Sequence, residues 1–188
     1  MRLSPRFTDK DWKGINFSME DGWQQAVAIV EDRIEGRWLR WVDGIVSSQF
    51  SGFAVLALDC IVLESLWGFA NGKAVPKRHE REVYRKMLSG RRFRWPDAQI
   101  DDFREFVRNG LMHDAETRNR WLVEMTIPRN RIAEQNAAGD YVINRSKFHR
   151  AVRGTFEDWL HGLRSGDGGL RRNMRARMDE IIAKHYAP

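Results

Sequence analysis

Phe106 to Thr117 reads Phe-Val-Arg-Asn-Gly-Leu-Met-His-Asp-Ala-Glu-Thr, with four residues between Arg108 and His113. Histidine titrates near neutrality, so His113 can take or give a proton during a reaction. The planar fork of Arg108 can hold a phosphate and stabilise charge developing on it. Asn109 can orient the phosphate or the imidazole, and Asp114 or Glu116 can fix the imidazole tautomer. Residues five apart on an ideal helix point about 140° apart, so Arg108 and His113 diverge. Asn109 and His113, four apart, share a face. A site using both Arg108 and His113 therefore needs a helix break after Asn109-Gly110, or a neighbouring subunit. A purely structural use stays open: Arg108 pairing with Asp59 or Glu64, and His113 finishing a helix end.

The other candidates carry less chemistry. His79, His149, His161 and His185 show no metal-ligand spacing, so no metal and no other cofactor is expected. Cys60 is the single cysteine, which excludes an internal disulfide framework, and it reads as a small core residue. Ser51-Gly52-Phe53 lacks the preceding strand of a nucleophile elbow. Gly166-Asp167-Gly168-Gly169 is a helix break and no phosphate loop.

Charge adds a second pattern. Lys73 to Arg94 holds nine basic residues and two acids, a local +7 in a chain of net +6. Lys77, Arg78, Arg91, Arg92, Arg94 and Arg104 are the candidate contacts to a polyanion such as single-stranded RNA. The alternative is a solvated helix face.

The elements that would position these groups are mostly helical. Ser18-Met19-Glu20-Asp21 fits a capping box, and Trp23, Val27, Val30, Ile34, Trp38, Trp41, Val42 and Ile45 form one stripe on a long helix. Residues 50–70 are apolar on nearly all faces, which predicts a buried helix, centrally or at a subunit interface. Asp59 and Glu64 interrupt it and need partners. A short basic helix follows at 76–88. Ile100, Phe103, Val107 and Leu111 mark the helix that ends in the Arg108–His113 stretch. Trp121–Ile127 and Tyr141–Ile143 read as strands joined by a long polar connection, a long-looped hairpin. Ser146 is placed to cap a helix with Phe148, Val152, Phe156, Trp159 and Leu163 on one face, and a basic helix closes the chain at about 168–186. The fold class expected is all-α: an up-and-down bundle of about five to six helices with one small β-hairpin insertion, one domain over 1–188 with an irregular segment at about 1–18.

The chain has 188 residues, 42% hydrophobic and 31% charged, a globular composition. Residues 1–18 hold no apolar run of a secretory signal. The longest uncharged run, residues 44–58, is too short to span a bilayer. A cytoplasmic protein without membrane contact is expected.

On Arg108, Asn109 and His113, the long first helix and the apolar 50–66 helix, the sequence resembles the HEPN family, helical-bundle domains of prokaryotic toxin and defence systems. The resemblance spans about residues 20–165. It implies a homodimer with both motifs in one cleft and a metal-independent RNA endonuclease. In that chemistry the ribose 2′-OH attacks, leaving a 2′,3′-cyclic phosphate and a 5′-OH. It assigns catalysis to Arg108, His113 and Asn109, with Asp59, Glu64, Asp114 and Glu116 in support, and allows a neutralising antitoxin partner. The alternative is a non-catalytic dimeric module of the same fold that binds RNA, nucleotide or a partner protein.

Overall fold

The computed structural model describes residues 1–76, 79–125, 127 and 131–186. The chain is mostly helical with a small three-stranded sheet. After α1 (Asp9–Lys13), α2 (Glu20–Ile34) runs into a π-helical segment (Glu35–Leu39) and on into α3 (Arg40–Ile45). These three form one long rod, but the predicted stripe is corrected beyond Ile34: the π turn buries Leu39 and leaves Trp41 exposed. The expected capping box is absent. Met19 is the N-cap of α2, and Ser18 bonds instead to Asn16 Oδ1 (2.6 Å).

Helix α4 (Gly52–Asn71) is the centre of the fold. It packs chiefly against α8 (Arg145–Arg164) and α9 (Gly168–Tyr186), and further against α3 and α5 (Glu80–Leu88). Val55, Leu56, Cys60, Val62, Leu63 and Leu66 are all buried. By length and composition α4 could cross a membrane, but half of that stretch is buried inside this fold. Phe53, Ala54, Ala57, Leu58 and Ile61 on its other side stay partly or fully exposed. Left-handed Gly72 (φ 71°) ends α4 with a turn that a side chain would strain.

The chain then makes α5, α6 (Asp97–Asp102), a second π-helical segment (Phe103–Arg108) and α7 (Asn109–Asp114). The sheet comprises β1 (Trp121–Glu124), β2 (Ala133–Gln135) and β3 (Tyr141–Asn144), in the order β1-β3-β2. Here the sequence expectation is corrected. The strands at 121 and 141 are not a hairpin but a parallel pair, Trp121 facing Tyr141. The hairpin is β2–β3, with Ala133 facing Ile143. The polar connection holds a third strand, and its turn is set by Asn136, whose Oδ1 accepts from the N–H groups of Ala138 and Asp140, with Gly139 left-handed (φ 81°). The cap of α8 is corrected too. Asn144, not Ser146, accepts the N–H of Lys147 (3.0 Å).

Aromatic rings fill the space between the sheet and the helices. Phe103 stacks on Phe148 with centroids 5.3 Å apart, and Trp95 meets Phe103 edge to face at 5.4 Å. These contacts fix the rod that carries Arg108.

Candidate functional site

The rod of α6, π segment and α7 buries Ile100, Phe103, Val107, Gly110 and Leu111 toward the core. A π-helical turn is rare, and one ends at Arg108 itself. From Arg108 onward the backbone is α-helical to Asp114, so no break follows Gly110. The divergence expected of residues five apart is realised: Arg108 is half-buried and turns inward, while His113 is exposed.

Arg108 Nε donates to Glu64 Oε1 at 2.9 Å, and Tyr84 Oη donates to the same oxygen at 3.0 Å. Arg108 Nη1 donates to Asn109 Oδ1 (3.1 Å), and Asn109 Nδ2 donates to Glu105 Oε2 (3.3 Å), which Arg104 Nη2 also reaches (3.1 Å). The chain of bonds from Tyr84 to Arg104 contains two arginines and two carboxylates and is neutral as a unit. Burial pulls the Arg108 guanidinium down, but the hydrogen bond and charge of Glu64 outweigh it and hold the group above its ordinary value. The Tyr84 hydroxyl also acts on the Arg108 guanidinium, which is engaged within its own chain through Nε and Nη1. The Tyr84 hydroxyl is pushed well up, by burial first and by neighbouring Cys60 and Glu64 next, so it stays a donor. Burial raises the Cys60 thiol to about 12, which makes it inert.

His113 has no hydrogen-bond partner among the described residues. Asp114 pairs with Arg118, and Glu116 accepts from the N–H of Thr117, so neither touches the imidazole. Just beyond, Ala115 is left-handed (φ 57°) and the chain folds back beneath the helix. A Cβ on Gly110 would sit 2.4 Å from the Glu116 carbonyl oxygen, so glycine is required there.

Asp59 lies apart from Arg108. It is fully buried and bonds through Oδ1 to His149 Nδ1 (2.8 Å); His149 Nε2 meets Asp43 Oδ1 (2.9 Å). Arg153 joins Asp43 and Glu35 (2.6 Å) at the outer end. Sequence reading missed this relay because its members lie 90 and 106 residues apart, and no local spacing signals it. Burial pushes the Asp59 carboxyl up while His149 opposes it. Burial pulls His149 down, but Asp59 and Asp43 outweigh that and raise it.

Four arginines of the basic cluster are held by carboxylates from outside it. Arg81 and Arg85 both grip Asp101 (2.5 Å each), and Arg91 and Arg92 both hold Asp158. Arg94 is exposed and makes no ion pair among the described residues. Lys77 and Arg78 lie outside the described residues. Among the described residues no three His, Cys, Asp or Glu side chains are grouped to hold a metal ion. Compared with known proteins, the chain matches no family model, no curated protein and no solved structure.

Proposed function

We propose that this chain is a metal-independent RNA endonuclease of HEPN type, built on an up-and-down helical bundle and working as a homodimer in the cytoplasm. The observation that carries this reading is the split of the motif. Arg108 is anchored inward, and His113 is exposed and unpartnered on another side of the same helix. The two side chains diverge on one chain, and in the proposed dimer the α7 ends are apposed so that Arg108 of one chain meets His113 of the other. Exposed Met112 beside His113 supplies an apolar contact for that apposition. In the composite site Arg108 and Asn109 hold the scissile phosphate, and His113 moves the proton while the ribose 2′-OH attacks. A toxin or defence role with a neutralising partner accords with this reading.

A second reading has its own support. The Glu64–Arg108 pair, which engages the arginine within its own chain, also fits a non-catalytic module binding RNA, nucleotide or a partner protein. Incubation with single-stranded RNA in EDTA separates them. The endonuclease yields fragments ending in 2′,3′-cyclic phosphate, and His113→Ala lowers the rate by about 10²–10⁴-fold. Equal cleavage by wild type and His113→Ala rejects the nuclease, and RNA retention without cleavage supports the module.

A further inference from the structure

Phe50 stands 91% exposed on a left-handed backbone (φ 62°). It forms one rim of a cavity of about 550 Å³ whose walls are Phe53, Val123 and Met125 and whose floor is Gly52. This cavity lies where α4 and α8 begin, and neither the Arg108 site nor the His149 relay lines it. A Cβ on Gly52 would come within 2.7 Å of Val123 Cγ1, so glycine is what lets β1 approach the start of α4 this closely beside the cavity.

One cation faces this apolar space. Arg145 is only 4% exposed, yet no carboxylate lies within 4.0 Å of it among the described residues. Its Nε and Nη2 donate to the carbonyls of Val46 (3.0 Å) and Ser48 (2.6 Å), just past the end of α3. Carbonyls at a helix end offset only about half a charge. Nη1 makes no hydrogen bond among the described residues, lies 3.5 Å from where a Gly52 Cβ would sit, and belongs to a residue that lines the cavity. A buried charge without a counter-ion is costly, and here the missing counter-ion has a space in which to bind.

The start of α4 supplies further donors. Its first helical bond runs from Val55 N–H to the Ser51 carbonyl, so the N–H groups of Gly52, Phe53 and Ala54 have no partner among the described residues. The Ser51 hydroxyl is turned to the carbonyls of Ile45 and Ser48 and accepts none of these N–H groups. Free N–H groups at a helix start favour an anion. Glu124, exposed at the lip, leaves Arg145 unpaired.

We propose that this cavity binds a small organic monoanion with an apolar body, its carboxylate on Arg145 Nη1 and the N–H groups opening α4, and its apolar part between Phe50, Phe53, Val123 and Met125. An apolar pocket with a few convergent polar groups is the usual form of a small-molecule site. The charge selects an anion over a neutral molecule of equal apolar length.

Calorimetric or NMR titration of the full chain with octanoate, and with 1-octanol as the uncharged control, tests this. Octanoate is expected to saturate at one per chain, and octanol to bind at least about tenfold more weakly, the worth of a charge-assisted bond. Phe50→Asp preserves the fold, since aspartate tolerates a left-handed backbone better than phenylalanine. Its carboxylate at the rim is expected to weaken octanoate more than octanol. Arg145→Gln, with helical content checked by circular dichroism, is expected to abolish the preference for the anion. If Arg145→Gln does not fold, Phe50→Asp decides. Equal affinities for octanoate and octanol, no saturable binding, or octanoate affinity untouched by Phe50→Asp would overturn the proposal.

Discussion

His149 lies between two carboxylates, buried Asp59 and outer Asp43, and the three titrate as a unit. His149 is held above its ordinary value, so its contribution to stability is complete below the unfolded value near 6.5 and is lost as pH rises through the folded value. Buried Asp59, also pushed up, acts in the same sense, because its charged form is tolerated only while His149 keeps a proton. The fold is therefore expected to weaken on the alkaline side of neutrality. Urea midpoints measured from about pH 6 to 9 should fall steadily for the wild type and stay flat for the Asp59→Asn/His149→Gln pair, where neither group titrates. A wild-type midpoint constant over that span would remove the relay from the stability argument. His149→Leu alone should cost about 3–5 kcal/mol, since it leaves Asp59 buried and unpaired. Arg108→Ala belongs to the same scale and is milder. Glu64 keeps the Tyr84 hydroxyl, so the expected loss is about 1–3 kcal/mol with a folded product.

Among the elements, the helices were legible in sequence because their apolar spacing repeats over several turns, and the sheet was not. Trp121–Glu124 and Tyr141–Asn144 were recognisable as strands, but their parallel pairing depends on Ala133–Gln135, a strand of three residues with no pattern of its own. The first π-helical segment shifts the stripe: the buried residues step from Ile34 to Leu39, five apart, and Trp41 stands 65% exposed where even spacing places it inside. Arg108 and His113 could be read as a diverging pair from spacing alone, whereas the partner of Arg108 was narrowed only to Asp59 or Glu64. That choice depends on α4 packing, which presents Glu64 and Tyr84 to Arg108 and turns Asp59 toward α8. Charge runs mislead for a related reason: Arg91 and Arg92 are consecutive in a basic stretch, yet both are held by Asp158 from α8. An RNA contact through this turn would have to break those bonds. Arg94→Ala should therefore weaken RNA binding and lower the salt slope by about one, while Arg91→Ala should change the slope less. Equal slopes for Arg94→Ala and wild type would leave the cluster as a solvated face.

At the scale of the whole molecule, the proposed homodimer would complete the motif from two chains. Closed twofold association places the same patch of each chain against the other, so two equivalent composite sites form, each with Arg108 from one chain and His113 from the other. This arrangement predicts complementation. Arg108→Ala and His113→Ala chains are each inactive alone. When they are mixed and allowed to exchange, half of the dimers contain one chain of each kind. In such a dimer one site has lost both groups and the other retains both, so about a quarter of the wild-type sites are restored. Recovered cleavage near that fraction, rising with the time allowed for exchange, is the expected result. Light scattering should give a species of twice 22.1 kDa at the concentrations used. A mixture as inactive as its components would place Arg108 and His113 of each site on one chain or outside catalysis. A purely monomeric protein that still cleaves would do the same, since no second chain would then supply the missing group.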